Sequence, residues 1–247
     1  MRLTRQDRAT YDRDGHVTVP DVFGAPEMEV AIADIEVWGA ETLGRLTTEQ
    51  RAWYLDAGVR GKDVLRKLDN PVHARPALRA LAADPRLVGL VESLIGSGLS
   101  VYFSQVFMKP PGGGGPKPVH QDNFYFGPHD PDRLVTAWIA LDAATTENGC
   151  LMFGDGTHHG PVHPHVAPPG EPYNLQASSD IAVSQPMRPM PVPRGGVSFH
   201  HGGTFHGSGD NNSDHWRRAL AIHYIADGNW FETPALPYDD KVLVRIS

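Results

Sequence analysis

The alternation of apolar and polar positions divides the chain into a helical first third and a remainder built of short strands. Met28, Ile32, Ile35 and Trp38 recur at the spacing of one helix face, and they follow Pro26, a residue that the first turn of a helix tolerates. This periodicity predicts an amphipathic helix that packs on another layer.

A second helix has clear start and stop signals. Asp84 stands before Pro85 as an N-cap, and Gly96 follows the last apolar residue of the run. Between them, apolar residues recur on one side at positions 87, 88, 91, 94 and 95. We expect both helices to buttress a sheet and assign neither to chemistry.

From residue 99 onward the apolar runs become short and strand-like. The predicted strands are residues 101–109, 119–126, 134–142, 150–153, 196–201 and 217–226. Glu147-Asn148-Gly149 predicts a turn between two of them. Helices followed by strands favour an α+β fold with an antiparallel core.

Length and composition fit one domain over residues 1–247, because all-β cores of this size often stay undivided. Within it we expect residues 1–98 to be mainly helical support and residues 99–226 to form the core. Residues 155–193, rich in Pro, His and Ser, predict a long loop or insertion. Tyr173, Asn174 and Gln176 with its histidines make it the expected lid.

The formal net charge of -7 and the absence of a clustered basic stripe argue against nucleic acid as a partner. No apolar run has the length of a signal peptide core or a membrane span, so we expect no membrane partner and a cytoplasmic location. Cys150 is the only cysteine, which excludes an intrachain disulfide and is typical of a packed thiol.

The candidate chemistry lies in three separated places. His120 and Asp122 are two apart, so in a strand their side chains leave the same face and can hold one metal ion. A lone His-x-Asp pair carries little weight in a chain with 13 His, but it is followed in order by His206 and by Arg217. Two histidines and one carboxylate on one side of a metal suit Fe(II), because they leave its other positions open.

Spacing alone leaves alternatives open for each partner. The competing histidines are His158, His159, His163, His165, His200, His201 and His215. For His200 and His201 we expect one core and one exposed residue. We prefer Arg217 over Arg218 because it shares its strand face with small alanines that leave room for a ligand.

Five sequence segments carry a resemblance to a known family. They are Met108-Lys-Pro-Pro, Val119-His-Gln-Asp-Asn-Phe-Tyr-Phe, Ala137-Trp-Ile-Ala-Leu-Asp, Glu147-Asn-Gly-Cys-Leu and His206-Gly-Ser-Gly-Asp-Asn-Asn-Ser. In this order, from about Tyr11 to Ile225, the chain resembles the phytanoyl-CoA dioxygenase-like branch of the Fe(II)/2-oxoglutarate oxygenases.

The resemblance implies a double-stranded β-helix, or cupin-like jelly roll, with the metal held between its sheets. It implies that His120, Asp122 and His206 bind Fe(II), and that Arg217 holds the far carboxylate of 2-oxoglutarate through a planar, two-pronged contact. Dioxygen takes the remaining open position. The further co-substrate contacts that it implies are Lys67, Gln105, Trp138 and Ser208. A solvated Lys67 is an equally open reading.

The implied reaction oxidises a C–H bond of a small-molecule substrate and releases succinate and CO2. Related halogenases have a small residue where this chain has Asp122, so hydroxylation or another oxidation is favoured over halogenation, with tailoring of a secondary metabolite as its setting. Desaturation, cyclisation and epimerisation stay open as outcomes of the same chemistry. Two other classes stay open. A cupin-like metal-dependent isomerase or hydrolase needs the same ligands without Arg217, and a non-enzymatic jelly-roll binding module needs no iron.

Overall fold

The strands form two antiparallel sheets and a short ribbon in a computed structural model that describes residues 1–56, 63–168, 174–235 and 239–247. In chain order they are β1 (His16–Val19), β2 (Lys67–Asp69), β3 (Leu99–Lys109), β4 (Lys117–His120), β5 (Leu134–Ala140), β6 (Leu151–Phe153), β7 (His165–Val166), β8 (Gln176–Ala177), β9 (Arg188–Met190), β10 (Val197–His201), β11 (His206–Ser208), β12 (Arg217–Ala226) and β13 (Val244–Arg245).

The helices lie mainly before the strands. They are α1 (Arg5–Asp14), α2 (Ala25–Leu43), α3 (Thr48–Tyr54), α4 (Pro71–Ala74), α5 (Pro76–Ala82), α6 (Pro85–Ile95), α7 (Asp122–Phe126) and α8 (Ser179–Ser184), with 3₁₀ turns at Pro131–Arg133, Thr157–His159 and Asp240–Val242. Both helices predicted from the periodicity are confirmed, and the Asp84 carboxylate accepts a hydrogen bond from the Arg86 amide at the start of α6. Among the described residues, no helix is long and apolar enough to cross a bilayer.

The larger sheet has the strand order β1-β10-β5-β12-β3-β13, and β2 also pairs with β3. One face of this sheet packs on α2, α5 and α6. Val135, Ala137 and Ile139 of β5 share a buried cluster with Met28 and Leu90 of the helices. The helices therefore support the sheet as expected, because the apolar side of each strand meets the apolar face of a helix.

The smaller sheet has the order β4-β11-β6-β9 and faces the other side of the larger sheet. Residues of both sheets line one cavity, among them Thr136 and Arg217 of the larger sheet and His120 and Ser208 of the smaller. The predicted α+β jelly-roll architecture is confirmed. Trp138 faces this cavity from β5, on the side of the strand opposite Val135, Ala137 and Ile139.

The strand predicted over residues 119–126 is wrong in its second half. β4 ends at His120, and α7 begins at Asp122. The chain turns because the Gln121 amide donates to Nε2 of His165 at 2.8 Å, so the two ligand candidates belong to different elements. Phe124, which strand alternation would place beside the metal, stacks on His165 instead, with ring centroids 4.3 Å apart.

Two predicted segments contribute more to the sheets than the sequence indicates. β1 and β2 come from the mainly helical first 98 residues and join the larger sheet. Within residues 155–193, β9 pairs with β6 in the smaller sheet and Asn174 lines the cavity, whereas Tyr173 lies outside the described residues. The predicted turn at 147–149 is confirmed, with Gly149 at φ 79°.

Candidate metal centre and active site

His120, Asp122 and His206 lie together between the two sheets. Each offers one ligand atom, and these atoms lie within 4.8 Å of one another. Oδ1 of Asp122 is 3.7 Å from Nε2 of His120 and 3.6 Å from Nε2 of His206. β4 and β11 pair His120 directly with His206, and the turn at Gln121 brings the carboxylate to them. The three side chains therefore converge through the pairing of β4 with β11 and the turn into α7. They do not converge because His120 and Asp122 share one face of a strand.

Backbone carbonyls fix both imidazole rings. Nδ1 of His120 is 2.8 Å from the Pro118 carbonyl, and Nδ1 of His206 is 3.0 Å from the Thr204 carbonyl. A carbonyl only accepts, so Nδ1 carries the proton in each ring. The lone pair on each Nε2 is left for a metal ion, which is the usual orientation of a ligating histidine.

The second oxygen of Asp122 is held by hydrogen bonds. Thr136 Oγ1 donates to Oδ2 at 2.7 Å, and Nε2 of His200 lies 3.3 Å from the same atom. Because the single hydroxyl proton of Thr136 goes to Asp122, its oxygen accepts from Nδ1 of His223 at 2.8 Å. Oδ2 is therefore occupied, and Oδ1 faces Nε2 of His120 and of His206.

Sequence reasoning missed His200 and His223 as parts of this network. The expectation that one of His200 and His201 is exposed is wrong, because both are buried and His201 contacts Asp132 at 3.2 Å. The cause is β1, which covers the outer edge of β10. For His223 the sequence did contain an indication, because alternation along β12 places it on the same strand face as Arg217 and Ala221.

Burial sets the charge of the cluster. Burial and the neighbouring His206 hold the pKa of His120 well below its ordinary value, and burial lowers the pKa of His206 to about 4. Burial alone would raise the pKa of Asp122, but the surrounding imidazoles, first His206 and then His200, keep it well below 3.8. Neutral imidazoles and an ionised carboxylate are the forms that bind metal.

Arg217 is a buried cation without a hydrogen-bonded partner among the described residues. Its side chain is 3% exposed, its Nε makes no hydrogen bond, and it forms no ion pair there. Its guanidinium lies 5.6 Å from the ring centroid of Trp138, and burial lowers its pKa to about 10. Burying an unpaired charge is costly, so this side chain is poised for an anionic ligand.

Arg218 faces the other way, as predicted. Its guanidinium contacts Asp142 at 2.8 Å and Glu36 at 2.9 Å. Of the two neighbouring arginines, Arg218 thus forms structural ion pairs, whereas Arg217 lines the cavity.

The remaining predicted contacts line the same cavity, which has a volume of about 640 Å³. They are Lys67, Gln105, Trp138 and Ser208. Asp69 holds two of them, since Lys67 Nζ lies 3.0 Å and Gln105 Nε2 lies 2.6 Å from its carboxylate. The Lys67 side chain is only 11% exposed, so it is not a solvated surface lysine.

The residues present fit a ferrous ion and 2-oxoglutarate. Two Nε2 lone pairs and one carboxylate oxygen converge on one point, and this donor set suits Fe(II) with open positions. The unpartnered guanidinium of Arg217 in the same cavity matches the far carboxylate of a dicarboxylate co-substrate.

Two curated proteins illustrate the similarity of the chain to known sequences. Mouse (Mus musculus) phytanoyl-CoA dioxygenase domain-containing protein 1 is 34% identical over 187 residues, which are 70% of this chain and 64% of the mouse protein. The chain therefore spans slightly less than two thirds of that relative. A probable alpha-ketoglutarate-dependent hypophosphite dioxygenase of Stutzerimonas stutzeri is 29% identical over 234 residues, 92% of this chain and 80% of that protein.

A solved structure shows the same fold. The non-heme alpha-ketoglutarate-dependent epimerase SnoN from nogalamycin biosynthesis superposes with a TM-score of 0.70 at 26% identity, covering 94% of this chain and 86% of SnoN. The sequence profile of the phytanoyl-CoA dioxygenase (PhyH) family matches residues 11–219. With the jelly roll and the cluster of His120, Asp122 and His206 in place, the chain belongs to the phytanoyl-CoA dioxygenase family.

Proposed function

We propose that this chain is an Fe(II)/2-oxoglutarate-dependent dioxygenase that hydroxylates an unactivated C–H bond of a small molecule in the tailoring of a secondary metabolite. One observation carries the proposal. The buried, unpartnered guanidinium of Arg217 opens into the same cavity as the cluster of His120, Asp122 and His206. A metal cluster and a carboxylate anchor in one chamber are what this chemistry requires.

His120, Asp122 and His206 would hold the metal ion. The carbonyls of Pro118 and Thr204 keep the imidazole rings in place, so the ligand set is oriented before the metal binds. Thr136 and His200 occupy one carboxylate oxygen of Asp122 and leave the other for the ion. When bound, Fe(II) would activate dioxygen as the oxidant, which takes two electrons from 2-oxoglutarate as it becomes succinate and CO2 and two from the substrate C–H bond.

Arg217 would hold the far carboxylate of 2-oxoglutarate, with Ser208 beside it in the cavity wall. Trp138 packs against the guanidinium, which restricts its rotation. Gln105 and Lys67, both fixed by Asp69, complete the wall in this proposal. These residues orient the co-substrate so that its keto acid end faces the metal ligands.

The cavity also has the features needed to hold a substrate away from water. Tyr125 and Phe126 of α7 line it beside Asp122, and Phe103 lines it from β3. Residues 155–193 are proposed as the lid, because Asn174 contributes to the cavity wall from this segment. The apolar walls would position a C–H bond, and closure of this lid would limit side reactions with solvent.

The relatives support the reaction class and suggest its setting. SnoN is alpha-ketoglutarate-dependent and comes from nogalamycin biosynthesis, and the Stutzerimonas relative is a probable alpha-ketoglutarate-dependent dioxygenase. The presence of Asp122 supports hydroxylation over halogenation, because the carboxylate occupies the position that a halide would need.

The two alternative classes leave Arg217 unexplained. A cupin-like isomerase or hydrolase would use the three ligands but has no need of a buried guanidinium aimed at the same chamber. A binding module without iron has no need of two imidazoles whose Nε2 atoms converge on a carboxylate. The oxygenase accounts for both features with one co-substrate.

Succinate formation tests the proposal. High concentrations of the iron-loaded protein with 2-oxoglutarate, ascorbate and air should release succinate slowly even without substrate, as measured by mass spectrometry. Asp122→Ala should lower this rate by at least about 100-fold, because losing a ligand exceeds the 10- to 100-fold effect of losing a ligand's outer partner. Asp132→Ala removes an exposed carboxylate and is the matched control. Equal succinate from wild type and Asp122→Ala would refute the oxygenase.

A further inference from the structure

Three cationic side chains converge on the cavity wall from two distant parts of the sequence. Arg66 and Lys67 come from the region of β2, and Lys117 comes from β4, fifty residues later along the chain. All three line the cavity. The sequence shows no basic cluster because only the fold brings these residues together.

Lys117 is the member of this group that points most directly to a ligand. In the pairing of β4 with β11 it stands opposite Ser208, so both side chains leave the sheet on the cavity side. Its ammonium contacts the Asn174 side-chain oxygen at 3.4 Å and lies 6.0 Å from the ring centroid of Tyr125. Among the described residues, no carboxylate forms an ion pair with it.

The electrostatic surroundings of Lys117 are positive. Burial, followed by the charges of Arg66 and Lys67, lowers its pKa to about 7, and the charge of Asp122 opposes this shift. Asp122 is also the proposed metal ligand, so a bound cation would take up its charge. Lys117 would then have no ion-paired carboxylate among the described residues, although Asp56, Asp210 and Asp239 also line the cavity.

Lys117 and Arg217 enter the cavity from different sheets, because Lys117 belongs to β4 of the smaller sheet and Arg217 to β12 of the larger. Lys117 is near enough to the metal cluster for its charge to act on His120 and His206. The far carboxylate of 2-oxoglutarate is already assigned to Arg217, so Lys117 is left for a second anionic group.

The rest of the cavity near α7 is aromatic. Tyr102 packs edge-on against Phe126 with ring centroids 4.8 Å apart, and its centroid lies 4.6 Å from that of Phe231. Phe103 lies beside them, and all four residues line the cavity. One chamber thus offers a cationic wall and an apolar wall on the approach to the metal ligands.

We propose that the substrate is an organic anion with an apolar body, and that Lys117 binds its carboxylate or phosphate group while the aromatic wall receives the body. The inference rests on the proposed function, because it places the substrate in the chamber that holds Fe(II) and 2-oxoglutarate. A lysine ammonium suits this task as a compact charge with three donors. An anion there would also remove the penalty of an unpaired, partly buried cation.

Calorimetric binding to the anaerobic protein, saturated with Fe(II) and 2-oxoglutarate, tests the proposal. The probes are phenyl phosphate and benzoate, which separate a phosphate from a carboxylate group, and benzyl alcohol as a neutral analogue. At least one anionic probe should bind more tightly than benzyl alcohol. Lys117→Met should weaken it roughly 10- to 100-fold, the range for losing a charge-assisted contact. Lys117→Arg should keep most of the affinity.

Controls separate this site from the co-substrate site. Lys241→Met removes an exposed lysine and should leave probe affinity unchanged. The affinity for 2-oxoglutarate should be the same in wild type and Lys117→Met, and equal melting temperatures show that the variant is folded.

Several results would overturn the inference. They are equal probe affinity in wild type and Lys117→Met, binding of benzyl alcohol as tight as that of both anions, no anion binding to the wild-type complex, or a loss of 2-oxoglutarate affinity in Lys117→Met. A failure of the proposed function looks different, because then 2-oxoglutarate itself does not bind to the iron-loaded wild type.

Discussion

Arg217 and Arg218 are adjacent in β12 and face opposite sides of the same sheet, which makes them a matched pair for mutation. Arg217→Ala should raise the dissociation constant of 2-oxoglutarate roughly 10- to 100-fold, because a charge-assisted contact contributes about 1.5–3 kcal/mol. Arg218→Ala should leave it unchanged and instead cost stability through loss of the contacts to Asp142 and Glu36.

Anaerobic titration of the Fe(II)-loaded proteins with 2-oxoglutarate measures both effects. A larger loss of affinity in Arg218→Ala than in Arg217→Ala would reverse the assignment of the two strand faces.

Sequence motifs were sufficient to select the candidate metal-binding and co-substrate-binding residues. His120, Asp122, His206 and Arg217 were all selected from the sequence, and the structure places them in one cavity. Their binding of iron and co-substrate stays a prediction. Thr136 and other partners of Asp122 were missed, because a hydrogen bond between strands distant in the chain leaves no local pattern in the sequence.

The α7 turn is the element that delivers Asp122, and Gly127 ends it in the left-handed region at φ 51°. A Cβ at this position would lie 2.3 Å from the Thr233 carbonyl oxygen. Gly127→Ala should therefore combine the left-handed backbone cost of about 1–2 kcal/mol with a steric cost of about 1–3 kcal/mol.

Gly112→Ala is the control for this prediction. Gly112 has a similar φ of 61°, but a Cβ there meets no atom within 4 Å. Chemical denaturation should show the smaller, purely conformational loss for Gly112→Ala. Equal losses of unfolding free energy in the two variants would show that the contact with Thr233 does not constrain the turn.

At the element scale, periodic and self-contained segments were predictable. α2, α6, β3 and β12 follow from apolar spacing and from caps that lie within the segment itself. The break at Gln121 was not predictable, because it depends on a hydrogen bond to His165, 44 residues away. β1 and β2 are short strands, and their apolar alternation covers too few residues to be recognised from the sequence.

For the whole molecule, histidines whose pKa values are lowered by full or partial burial predict how stability depends on pH. Burial lowers the pKa of His158 to about 4, and burial also lowers the pKa values of His16 and His201. In the unfolded chain these groups titrate near about 6.5. Between about pH 4 and 6.5 the unfolded state therefore binds more protons, and the free energy of unfolding falls as pH decreases through this window.

Melting temperatures of the metal-free protein at pH 7.5 and pH 5.0 measure this effect. The value at pH 5.0 should be lower, with each kcal/mol of lost stability worth roughly 2–4 °C at this chain length. His158→Gln should reduce the difference, whereas His215→Gln, at an 82% exposed side chain, should not. A melting temperature that rises on acidification would contradict the assignment of neutral buried imidazoles.

The larger sheet organises the whole molecule by separating two environments. Its helix-facing side carries Ala137, Ile139 and Leu220 in an apolar core, and its other side carries Thr136 and Arg217 in the cavity. Polar side chains are tolerated on the cavity side because the smaller sheet places polar groups opposite them. Two-residue alternation along β5 and β12 therefore specifies both the support and the site.

The visible spectrum of the anaerobic protein with Fe(II), recorded before and after adding 2-oxoglutarate, tests whether iron and co-substrate share one site. Wild type should show a weak charge-transfer band that requires both additions, and Asp122→Ala should lose it. No band in folded, iron-loaded wild-type protein would contradict the joint assignment of His120, Asp122, His206 and Arg217 to one iron and 2-oxoglutarate site.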